Sequence, residues 1–141
     1  MMALLAQGDT ETIARGLAAS ERDPEVVELR APEVGLVMLR GRIGGTGSPF
    51  NLGEATVTRA AVRLASGENG FAYILGRDVR KARLAAVCDA LWQSSHSRAD
   101  MECHVLSPLR AERERRLTRD RERTAATKVD FFTLVRGEDE R

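Results

Sequence analysis

The chain has 141 residues, 30% of them charged, with 22 Lys and Arg against 21 Asp and Glu for a formal net charge of +1. That length suits one domain with its own core, and the charge balance excludes whole-molecule steering toward nucleic acid or an anionic membrane. No apolar run approaches a membrane span, and the opening MMALLAQGD is too short and too soon interrupted for a signal-peptide core, so a cytoplasmic protein is expected, with Cys88 and Cys103 as reduced thiols.

In chain order, MALLA is apolar and helix-compatible but has no cap and little length. The stretch DTETIARGLAAS opens with Asp9, a good N-cap, and spaces Ile13, Ala14 and Leu17 for a short amphipathic helix that Ser20 and Pro24 stop. Next, PEVVELRAPEVGLVMLRGRI predicts two β-rich runs split by Pro32 and Gly35. In the second, Met38, Arg40 and Arg42 share one side and Val37, Leu39 and Ile43 the other, a half-buried strand with a basic face. Residues 55–64 fit a helix as well as a strand, and the β-branched cluster Thr56, Val57, Thr58 and Val62 favours the strand. SGENG then turns the chain into FAYILG, which predicts a hairpin.

From Asp78, DVRKARLAAVCDALWQSS is the clearest helix, with a small-residue stripe of Val79, Ala82, Ala86 and Ala90 suited to close packing on a sheet. SHSRAD reads as a polar break and MECHVL as a short extended piece. Residues 109–128 form an arginine-rich helix whose few large apolar side chains cannot make a core-facing stripe of normal width, and VDFFTLVRG is an apolar island before the charged tail EDER.

The sequence contains few groups able to do chemistry. Gly44, Gly45, Thr46 and Gly47 match neither the P-loop nor the dinucleotide spacing, so a strand-connecting loop outranks a phosphate cradle. Antiparallel pairing would gather Arg59 and Arg63 with Arg40 and Arg42 on one sheet surface, suited to phosphates or to a partner's acids. Solvated arginines paired with Glu28, Glu54 or Glu68 are the commoner outcome. Cys88, His96, Cys103 and His104 lack zinc-site spacing, and neither a nucleophile beside a base nor a Ser, His and Asp arrangement is visible. The arginine-rich helix has no interleaved aromatics for base stacking, which places an RNA-binding module last. By residues alone the chain is an interaction subunit.

The blocks GLVMLRGRIGGTGSPFNLGEATVTRAAVRL, GENGFAYILGRDVRKARLAAVCDAL and VDFFTLVRG, in that order over about residues 28–137, resemble PhnG, a subunit family of the bacterial carbon-phosphorus lyase machinery. The resemblance implies a structural or assembly role in a synthase that transfers a phosphonate onto the ribose of ATP with release of adenine. It implies PhnI, PhnH, PhnJ and PhnL as partners, two copies per assembly, no nucleic acid and no membrane. It also implies no cofactor on this chain, ATP as substrate of the complex, and an iron-sulfur cluster with S-adenosylmethionine on another subunit. It supplies no catalytic residue. Relatives usually carry residues ahead of MALLA, so the expectation is either a late start or a shortened first helix. SHSRADMECHV and the arginine-rich helix resemble the family less, and no role passes to Cys103 or His104.

The expectation is a single α+β domain over residues 1–141, with a mainly antiparallel sheet packed by helices and a charged C-terminal helix. Phe131, Phe132, Val135 and Arg136 are the expected partner interface. The alternative makes the chain a direct contributor to ATP or phosphonate binding through Gly44, Gly45, Thr46, Gly47, Arg59 and Arg63.

Overall fold

The computed structural model describes residues 1–20 and 24–128. The elements follow as α1 (Met2–Gln7), α2 (Thr10–Ala19), β1 (Val26–Arg42), β2 (Pro49–Leu64), β3 (Asn69–Leu75), α3 (Val79–Gln93), α4 (Ser95–Met101), a π-helical turn (Glu102–Leu106) and α5 (Ser107–Ala126). The strands form one antiparallel sheet in the order β1-β2-β3. The expected α+β class, with a C-terminal charged helix, is what the chain adopts.

Helices cover one sheet face. Ala60, Val62 and Leu64 of β2 and Ala72 and Ile74 of β3 point into a core with Ala82, Ala85, Ala86, Cys88, Ala90 and Leu91 of α3. Leu5 of α1, Ile13 of α2, Met101 of α4, Val105 and Leu106 of the π-helical turn, and Leu109 of α5 complete it. The alanines let α3 lie directly on the sheet: at Gly70 an added Cβ would overlap the Ala86 carbonyl oxygen. Asp78 caps α3 by accepting from the Lys81 N–H at 2.8 Å, and also accepts from the Thr10 hydroxyl at 2.8 Å, which ties α2 to α3. Asp9 caps α2 through the Thr12 N–H, as its position in the sequence predicts.

Three expectations give way here. The two runs split at Pro32 are one 17-residue strand, because the interruption is absorbed by register shifts between Glu28 and Arg30 and between Arg30 and Glu33. An edge strand tolerates a proline there, since its missing N–H need not serve the ladder. SHSRAD is the helix α4, not a break. MECHVL is helical, not extended: Met101 ends α4 and Glu102–Leu106 is the π-helical turn, which buries Val105 and Leu106 while Cys103 and His104 stay exposed.

Candidate interaction surface

β3 pairs with β2 only from Val57 to Arg63, whereas β1 and β2 continue together to Arg42 and Pro49. The excess length is a two-stranded ribbon extending beyond the three-stranded part of the sheet. Along it Leu36, Met38, Leu39, Phe50 and Leu52 are exposed, Leu36 by 62% and Leu52 by 65%, and Ile43 at its end is 76% exposed. An isolated two-stranded ribbon is marginal in water, and this one places apolar groups on both faces.

The sheet face opposite α3 continues the same surface. Alternation along β3 buries Gly70, Ala72 and Ile74 and sends Phe71, Tyr73 and Leu75 outward, with Leu75 75% exposed. Across it Arg59 donates from Nε to Glu33 Oε1 at 2.7 Å, Arg30 reaches the same oxygen at 3.2 Å, and Arg63 donates to Asn69 Oδ1 at 2.9 Å. These exposed pairs orient the guanidiniums rather than contributing much stability.

The register separates the arginines that the sequence suggested would meet. Arg59 stands opposite Glu33 and Val27 opposite Arg63, while Arg40 and Arg42 stand opposite Asn51 and Pro49. At strand rise this is a separation of roughly 30 Å between Arg59 and the end of the ribbon. Three register shifts and a long ribbon set the pairing, and neither is marked in the composition. The acids are also redistributed: Glu28 bonds Arg83 of α3 at 2.8 Å, and Glu68 takes the Ser66 hydroxyl.

Gly44, Gly45, Thr46 and Gly47 form the turn between β1 and β2. Gly44 and Gly45 have φ of 62° and 79°, the left-handed region glycine enters without strain. Gly47 donates its N–H to the Ile43 carbonyl at 3.0 Å, and its own carbonyl accepts from Arg42 Nη1 at 3.0 Å. The turn is closed by its own hydrogen bonds and lies far from Arg59 and Arg63. Phe131, Phe132, Val135 and Arg136 lie outside the described residues.

Burial raises the Cys88 thiol to about 12, so it packs as an inert apolar group. Among the described residues no group of three or more His, Cys, Asp and Glu is placed to hold a metal. A cavity between α1 and α5, lined by Leu4, Gly8, Leu109 and Arg116 among others, holds only about 50 Å³, while open hollows of about 500 Å³ beside Leu64 and Leu91 and about 490 Å³ along Arg115 and Arg119 of α5 lie away from Arg59 and the glycine turn. No described helix is long and apolar enough to cross a membrane.

Residue-level reading missed the size of the open apolar surface. The signal was present in FAYIL, which is apolar at every position rather than alternating with polar residues, the pattern of a strand covered on both faces. The described helices cover one.

The molecule is therefore an α+β protein whose dominant exposed feature is an apolar sheet surface with oriented arginines. The sequence matches the family described as "Phosphonate metabolism protein PhnG" over residues 1–137, and the chain belongs to that family. It is 53% identical over 139 residues, covering 98% of this chain and 88% of the relative, to the "Alpha-D-ribose 1-methylphosphonate 5-triphosphate synthase subunit PhnG" of Rhizobium meliloti (strain 1021).

Proposed function

We propose that this chain is a structural and assembly subunit of a ribose 1-methylphosphonate 5-triphosphate synthase in phosphonate breakdown. The complex transfers a phosphonate onto the ribose of ATP and releases adenine. The observation that carries the reading is the uncovered apolar ribbon and sheet face, in a chain 53% identical to a protein named as a subunit of that synthase. Exposed apolar surface of this extent marks a protein interface.

The partners are PhnI, PhnH, PhnJ and PhnL, with two copies of the present chain per assembly, in the cytoplasm. The reacting groups, the iron-sulfur cluster and S-adenosylmethionine belong to the other subunits. Two features support a scaffold over a reacting subunit. The buried thiol is inert, and the glycine turn lies far from the arginines that would share a phosphate with it.

Co-expression with tagged PhnI, PhnH and PhnJ, followed by mass measurement of the purified material, tests the reading. The chain is expected in the complex in stoichiometric amount, and the isolated chain is expected to release no adenine from ATP. A chain that stays out of the complex contradicts the assembly role. Adenine release that follows the isolated chain through gel filtration, and is abolished by one point substitution, contradicts the non-catalytic role.

A further inference from the structure

We propose that the outer edge of β1 over residues 34–39 is a strand-addition site, where an extended apolar segment of another synthase subunit pairs with the backbone of Val34, Leu36 and Met38. This deepens the assembly reading and rests on it.

The sheet has two edge strands, β1 and β3, and they are treated differently. On β3, the Phe71 N–H donates to Asp89 Oδ2 of α3 at 3.0 Å, and the Asn69 carbonyl accepts from Gln93 Nε2 at 2.7 Å. Gly70 between them is pressed beneath the α3 backbone. The helix has already occupied that edge, as native proteins do with edges that must not pair.

The same bond fixes which groups face outward on β1. Because the Phe71 N–H points away from β2, its partner Ala61 turns its own backbone groups toward β1, and alternation extends this to Arg59, Val57, Ala55 and Gly53. Their partners Glu33, Gly35, Val37 and Leu39 are thus the residues bonded to β2. The intervening Val34, Leu36 and Met38 present N–H and C=O groups outward, and no described residue pairs with them.

The two ends of this run are marked. On its N-terminal side two register shifts and Pro32 disrupt the edge, and on its C-terminal side a further shift falls between Leu39 and Arg40. Between them VGLVML is regular, uncharged and free of proline. Bulges and prolines blunt edges that must stay unpaired, so a six-residue window left without either is an edge left open.

Charge separates a partner subunit from a second copy. Glu33 is already shared by Arg30 and Arg59, which leaves that end of the window positive. The other end carries Arg40 and Arg42 with Glu54 on the neighbouring strand, and it too is positive. A two-fold antiparallel pairing would lay positive end on positive end, which is unfavourable. The fitting partner is an uncharged apolar strand with acidic flanks.

The test is amide exchange read residue by residue on the isolated chain at low and high concentration and on the assembled synthase. Val34, Leu36 and Met38 are expected to exchange freely in the isolated chain, with Gly35 and Val37 slower as internal references. In the assembly the three are expected to slow by at least about a hundredfold. Leu36→Lys, at a side chain 62% exposed, is expected to leave the melting temperature unchanged and weaken assembly at least tenfold.

Fast exchange of the three amides in an assembled complex overturns strand addition and leaves the assembly reading standing. Protection in the isolated chain that is independent of concentration means the chain covers its own edge. Protection that rises with concentration means a second copy does. Each of these overturns the proposal, and failure of the subunits to assemble overturns both readings together.

Discussion

At Gly70 the α3 backbone rests on β3 with no room for a side chain: besides the Ala86 carbonyl, an added Cβ would meet the Ala90 nitrogen at 2.6 Å. These are backbone atoms in the middle of a helix and cannot step aside. Gly70→Ala is therefore expected to destabilise the fold by about 3 kcal/mol or more, the upper range for overpacking, read by denaturant unfolding. Asp78 is the other residue on which the helical layer depends, through its bonds to Lys81 and Thr10. Asp78→Ala is expected to cost about 2 kcal/mol, a lost cap plus a lost inter-helix hydrogen bond. The Lys81 N–H bond holds the carboxyl below its ordinary value of 3.8 despite the opposing effect of burial. A carboxyl lowered in the folded state stabilises fully above the ordinary value, and that stability is lost as pH falls through the lowered one. The wild-type advantage over Asp78→Ala should thus be constant at neutral pH and shrink below about pH 4, which thermal unfolding at several pH values measures. Asp78 was legible in the sequence as the residue from which the clearest helix starts. Its bond to Thr10 was not, since 68 residues separate the two.

At the scale of elements, α2, α3 and the β2-β3 hairpin were legible because each is specified by short-range pattern: a cap with helical spacing, a small-residue stripe, or a turn between alternating runs. β1 was not, because the sequence shows Pro32 and Gly35 as punctuation while the sheet absorbs them as an edge bulge. Residues 101–106, MECHVL, were read as a short extended piece. Their helical state is set by packing: Gly16 of α2 leaves space for the His104 carbonyl, where any Cβ would overlap that oxygen. A π-helical turn widens the helix by one residue, and here it lets Met101, Val105 and Leu106 all reach the core. The ribbon's length was equally hidden. It follows from 17 and 16 residues in β1 and β2 against seven in β3, a mismatch visible once pairing is known.

For the whole molecule, the family was legible from GGTG, TRAAVRL and VDFFTLVRG in their order, while the location of the candidate surface was not. Arg59, Arg63 and the glycine turn are chemically suited to one phosphate, yet register places them on different parts of the sheet. Register is a long-range property that one sequence carries only through bulges and strand lengths. α5 buries Leu109 and otherwise presents its arginines and acids to solvent, as its composition predicts. The described core therefore occupies one side of the sheet, and the opposite face with the ribbon is what the described residues leave for partners. The most direct test of that account is the doubly substituted Ile43→Lys, Leu52→Lys chain, measured for binding to the co-purified PhnI, PhnH and PhnJ subunits and for its melting temperature. Both side chains are more than 60% exposed, so the melting temperature should move little while affinity falls at least tenfold, about 1.4 kcal/mol or more. Undiminished binding by this variant, with its fold intact, would contradict the claim that the ribbon is the docking surface.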